Sequence, residues 1–119
     1  MRGIEMGDED PGDNSTLTGG AKLFFSGLIA PDGTRLSSFE DQARALMEKF
    51  TSIIEDLSCV ISDVVHVTLY IKKGVNPEYL LSEYSDVIKG LPPAMTIIWV
   101  DNLPGQASYA MSLVAFLEG

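Results

Sequence analysis

The sequence predicts an α+β domain with two helices packed on one face of a mixed β-sheet. Three observations carry that reading. One long stretch, Phe39 to Leu57, repeats its apolar residues at helical spacing. Several shorter stretches are β-branched or strictly alternating, and Pro/Gly/Asn/Asp turn signals separate them. The predicted order is strand, strand, helix, strand, helix, strand, strand, which suits segregated layers of helix and sheet in a single domain.

Residues 1–20 are rich in Gly, Asp and Ser/Thr without periodicity and are expected to form a mobile acidic arm, leaving 21–119 as the domain. Lys22-Leu23-Phe24-Phe25-Ser26 is a short strand, and Pro31-Asp32-Gly33-Thr34 is a turn before the next element. Ser37 and Glu40 are spaced as a capping box for the first helix. Phe39, Ala43, Leu46, Met47, Phe50, Ile53, Ile54 and Leu57 then make one apolar face, opposite Glu40, Asp41, Arg44, Glu48 and Glu55.

Val64 to Ile71 is the next strand, with Val65, Val67, Leu69 and Ile71 expected on one face. Its other face, Val64, His66, Thr68 and Tyr70, is mixed. Asn76-Pro77-Glu78 opens the second helix, whose stripe is Leu80, Leu81, Tyr84, Val87 and Ile88 and which Gly90 ends. Two further strands, at about 95–100 and 107–117, are expected to pair as a hairpin across Leu103-Pro104-Gly105. The last strand alternates Tyr109, Met111, Leu113, Ala115 and Leu117 with Ser108, Ala110, Ser112, Val114 and Phe116. An uncharged second face of this kind is expected to be covered by self-association.

Composition narrows the function classes. A chain of 119 residues with 45% hydrophobic content carries enough apolar surface for a core and a subunit interface together. No run reaches the roughly 20 apolar residues of a membrane span. The net charge is −9, of which −4 lies in residues 1–13, so the body is acidic and lacks a Lys/Arg cluster. Such a surface is poorly suited to nucleic acid, whose binding rests on neutralising phosphates. Cys59 is the single cysteine, which excludes an internal disulfide and fits a reducing, cytoplasmic compartment. With His66 the only histidine and no Gly-rich phosphate loop, neither a metal nor a cofactor is expected.

Short motifs in order along the chain carry a resemblance. They are Phe25-Ser26-Gly27, Asp41-Gln42-Ala43, Ser62-Asp63-Val64-Val65, Ser82-Glu83-Tyr84, Pro93-Ala94 and Leu103-Pro104. From Lys22 to Ala115 the chain resembles the YjgF/RidA family, the L-PSP endoribonuclease-like proteins. That resemblance implies a chorismate-mutase-like (RidA) fold, assembled as a homotrimer around a central β-barrel with clefts between subunits. It also implies a reaction, hydrolysis of enamine and imine intermediates such as 2-aminoacrylate. In the family an arginine after Pro-Ala grips the substrate carboxylate, and a glutamate in the last strand helps place the water.

At those positions this chain has Met95 and Ala110, and Asn14-Ser15-Thr16-Leu17 stands where the family has Pro-Tyr-Ser-Gln. A thioether makes no charged fork, so enamine/imine deaminase activity is not expected. The candidate cleft-lining residues are Ser26, Gly27, His66, Ala94, Met95, Trp99, Tyr109 and Ala110. The expected partners are further copies of the chain and a small-molecule ligand, with neither nucleic acid nor membrane. Two other readings stand beside this one. In the first, the chain is a structural or regulatory module, related to domains fused to ATP-dependent ligases such as the diphthamide amidation enzyme. In the second it is a hydrolase or deaminase acting on a substrate without a carboxylate, through His66, Tyr109 or Ser26.

Overall fold

The computed structural model describes residues 22–36, 38–90 and 92–118. The expected arm over 1–20, Asn14 to Leu17 within it, and Ser37 lie outside the described residues. Four strands, β1 (Lys22–Phe25), β2 (Val64–Lys72), β3 (Ala94–Val100) and β4 (Tyr109–Leu117), form one mixed sheet. Two helices, α1 (Phe39–Asp56) and α2 (Glu78–Val87), pack on it. Among the described helices, none is long and apolar enough to cross a membrane.

The sheet order is β1-β4-β2-β3, with β2 parallel to β3 and antiparallel to β4. This corrects the expected hairpin, because β3 and β4 flank β2 and do not pair. The hairpin expectation treats the Pro-Gly segment as a tight turn. Asp101 to Ser108 is long enough to step over one intervening strand, a distance of two strand spacings or about 10 Å. Gly105 (φ 64°) and Gln106 (φ 57°) are both left-handed and turn the chain within that step. Backbone bonds from Lys73 N to Val100 O (2.8 Å) and from Lys72 N to Ser108 O (3.0 Å) fasten both neighbours to the end of β2.

The helices form where the spacing places them. Ala43, Leu46, Met47, Phe50 and Ile54 of α1 and Leu80 and Tyr84 of α2 share one core with Val67, Leu69 and Ile71 of β2. Tyr109, Met111, Leu113 and Ala115 of β4 complete it. Each large side chain removed from water there contributes about 1.5–3 kcal/mol before conformational entropy is counted. The α1 cap lies one residue later than expected. Ser38 accepts from Asp41 N (3.3 Å), so Asp41 and not Glu40 occupies the third helical position. At α2 the Asn76 side chain accepts from Glu78 N (2.9 Å), and Gly90 follows with φ 80°.

Two strand expectations are corrected. A second strand is expected before α1, but among the described residues between β1 and α1 there is only an isolated bridge, Ile29 with Met111. Pro31 has no backbone donor to continue it, and Gly33 N turns instead to Gly105 O at 2.9 Å. In β2 a register irregularity between Val64 and His66 puts Val64 in the core and leaves Val65 exposed. Val65 therefore does not share the face of Val67, Leu69 and Ile71.

A buried glutamine, unremarked in the sequence pattern, ties the layers together. Gln42 donates from Nε2 to Leu36 O (2.8 Å) and accepts at Oε1 from Ser108 N (2.8 Å). It thereby joins the loop before α1 to the start of β4.

The Asp32-Gly33 segment is more than a surface turn, since it locks onto the β3–β4 crossover. A Cβ on Gly33 would sit 2.1 Å from Gln106 O, whereas one on Gly27 would meet nothing within 4 Å. Gly33→Ala is therefore expected to lower stability by about 1–3 kcal/mol, the usual cost of overpacking. Gly27→Ala should leave it near wild type. Urea unfolding of both variants checks this, and equal midpoints would contradict the lock.

Candidate functional site

The alternation of side chains along each strand sorts the predicted site residues onto two faces of the sheet. Met95, Ile97 and Trp99 lie in register with Val67, Leu69 and Ile71, and so point to the helix side. The helices do not extend over them. Met95 is 43% exposed and Trp99 47%, while their β2 partners Val67 and Ile71 are fully buried. Strand β3 is thus an edge strand that presents apolar side chains to water on its helix side, and Ile98 is exposed on the other.

The open face holds His66, Ala94 and Ala110. His66 and Ala94 are cross-strand partners, and Ala110 pairs with Tyr70 two rungs along. Neutral polar groups run across this face. His66 Nε2 lies 3.0 Å from Thr96 Oγ1, and Tyr70 OH lies 3.5 Å from Ser112 Oγ. Ala110 is fully buried although it faces the open side. Ser112 is a hydrogen-bonding candidate that the sequence offers beside Ala110, whereas Thr96 and Tyr70 are not among the predicted site residues. The period-two run of His66, Thr68 and Tyr70 along β2 is the signal that could have found Tyr70, whereas Thr96 lies in the apolar run of β3 and shows only in the β2–β3 register.

Ser26 is committed to the backbone. Its hydroxyl accepts from Leu113 N (2.8 Å) and donates to Gly27 O (2.8 Å), while Ser26 N donates to Leu113 O (2.9 Å). This prolongs the β1–β4 ladder and holds the exposed Gly27 at its end. Tyr109 lies within the core instead of lining an open face. It is fully buried, its hydroxyl donates to Asn76 O, and the Phe39 ring meets it edge-on at 6.3 Å.

Within one protomer the eight predicted residues therefore do not converge. Met95 and Trp99 sit on one side of the sheet and His66, Ala94 and Ala110 on the other, with Tyr109 inside. Of the described arginines, Arg44 pairs with Asp41 on α1 (3.1 Å) and Arg35 belongs to the preceding loop. At the β3 edge the charged pair is Lys73 with Asp101, at 3.1 Å. Among the described residues no three His, Cys, Asp or Glu side chains are grouped to hold a metal ion. The open face offers hydrogen bonds to uncharged groups, and the helix side of β3 offers an apolar, aromatic surface.

This geometry defines a small α+β domain with one mixed sheet and, among the described residues, an uncovered edge strand. No protein-family model matches the sequence. A RutC family protein of Pyrococcus abyssi is 27% identical over 79 residues, covering 66% of this chain and 62% of that relative's length. Among solved structures, a Thermotoga maritima protein provisionally described as an endoribonuclease superposes with a TM-score of 0.72 at 20% identity. That match covers 93% of this chain and 90% of that one. The YjgF gene product of E. coli gives 0.66 at 17% identity, covering 78% and 79%. The chain is thus similar in sequence to a RutC family protein over part of its length, and its fold is the one seen in the YjgF gene product and the T. maritima protein, the RidA fold.

Burial, with a smaller contribution from Tyr79, pushes the Tyr109 phenol up from 10 to about 12. Burial also raises Tyr84. Unfolded tyrosines ionise near 10, so above that pH the folded state binds more protons than the unfolded one. Stability is then fully present below about pH 10 and falls as pH rises towards 12. Tyr109→Phe should flatten this alkaline loss in urea midpoints measured across that range. A loss as steep as wild type would contradict the buried-phenol assignment.

Proposed function

We propose that this protein is a RidA-fold homotrimer that lacks 2-aminoacrylate deaminase activity and holds a small uncharged ligand in the cleft between subunits. One observation carries the reading. Met95, directly after Pro93-Ala94, stands half-exposed on a bare edge strand where the family's substrate-gripping arginine would be. A carboxylate entering a cleft lined by Met95, Ile97 and Trp99 would lose water and gain no counter-charge, at a cost of several kcal/mol. An uncharged, partly aromatic ligand pays no such penalty and gains contact with the Trp99 ring.

The exposed surfaces of the protomer are what a trimer would use. Assembly would bury β3 and the open face, and bring the helix side of one β3 against a neighbour's surface. The row from Thr96 and His66 to Tyr70 and Ser112 would supply neutral hydrogen bonds inside the assembly. The endoribonuclease description of the T. maritima neighbour does not fit the acidic body of this chain.

The test is direct. 2-Aminoacrylate is generated in place by a pyridoxal-phosphate dehydratase and its conversion to pyruvate is followed with and without this protein. The expected rate is that of buffer alone. Acceleration proportional to the amount of this protein would overturn the reading.

A further inference from the structure

At the edge of the fold opposite β3, the loop after β1 meets α1 and leaves two clefts that share Lys49 as a wall. One, of about 410 Å³, is lined by Pro31, Asp32, Arg35, Leu36 and Ala45 together with Lys49. The other, of about 350 Å³, is lined by Leu28, Ile29, Ala30, Ser52 and Ile53 with the same lysine. Both volumes fall within the usual range of small-molecule sites, about 300–1,000 Å³.

The two lobes differ in chemistry. The second is mostly aliphatic, and Leu28 at its rim is 47% exposed. The first is lined by two cations, Arg35 and Lys49, in a chain whose net charge is −9. Neither forms an ion pair with a described residue. The acid beside them, Asp32, is turned back on its own loop. Its Oδ1 accepts from Thr34 Oγ1 (2.6 Å) and Thr34 N (3.0 Å). Those bonds, helped by the charges of Arg35 and Lys49, hold its carboxyl below the ordinary range. The local balance is one positive charge beside an apolar trough.

We propose that this groove binds an amphipathic monoanion. A carboxylate head sits between Arg35 and Lys49, and a short hydrocarbon or aryl body lies over Leu28, Ile29 and Ile53. The arginine fork and the lysine point charge recognise the head by charge-assisted hydrogen bonds. Apolar contact holds the body. The site stands at the opposite sheet edge from Met95 and does not depend on the β3 cleft.

The full-length ¹⁵N-labelled protein is titrated separately with sodium octanoate, octan-1-ol and inorganic phosphate. Octanoate is expected to give saturable shifts at the Ile29, Ala30, Lys49 and Ser52 amides, weakening as salt is added. The double substitution Arg35→Gln, Lys49→Gln should raise its Kd about tenfold, the scale of lost charged hydrogen bonds. Lys73→Gln, which removes a cation at the far β3 edge beside Asp101, should leave the Kd unchanged. Octanol binding as tightly as octanoate, phosphate binding as tightly as octanoate, or no saturable shift with octanoate would each overturn the proposal.

Discussion

The insertion of β2 between β3 and β4 is the constraint on which the rest of this structure depends. It makes β2 and β4 interior strands and gives them the buried rows that the helices cover. It also drives β3 to the edge, where Met95, Ile97, Ile98 and Trp99 remain between 37% and 47% exposed. An edge strand with unpaired backbone groups and apolar side chains on both faces is a template for further association. Burying side chains of this size is worth about 1.5–3 kcal/mol each, so their common exposure in one protomer is a large unrealised stabilisation.

Much of the fold was legible because periodicity reports burial directly. The α1 stripe could be read from Ala43 to Ile54, although Phe39 at its start stays exposed, and so could the alternation of β4 from Tyr109 to Ala115. What failed depends on pairing, which one strand's sequence does not encode. Neither Leu103-Pro104-Gly105 nor its neighbours reveal that the chain steps over β2. The irregularity that exchanges Val64 and Val65 leaves no trace in a run of two valines. Gln42 carries no apolar signal in the α1 pattern, yet Leu36 O and Ser108 N hold it in the core.

The site was less legible than the fold for the same reason. Resemblance put Met95 and Ala110 in one reactive cleft, whereas strand alternation puts them on opposite faces of a single protomer's sheet. Tyr109 is attractive in sequence as a hydrogen-bonding phenol beside Ala110. Its odd-numbered place on β4 carries it into the core, where its hydroxyl donates a hydrogen bond to Asn76 O. His66 kept the face expected of it, and its partner Thr96 became visible only with the β2–β3 register.

The two sheet edges of this domain differ in character. One, at β3, is aromatic and aliphatic without a local cation over Met95. The other gathers Arg35 and Lys49 beside an aliphatic trough. The proposed covering of the first by copies of the chain would unite the bare strand, the neutral open face and the RidA fold. Light scattering coupled to size-exclusion chromatography tests this step most directly. Three copies of the 12.9 kDa chain predict a species of about 39 kDa that persists on dilution. A monodisperse 12.9 kDa monomer would contradict it.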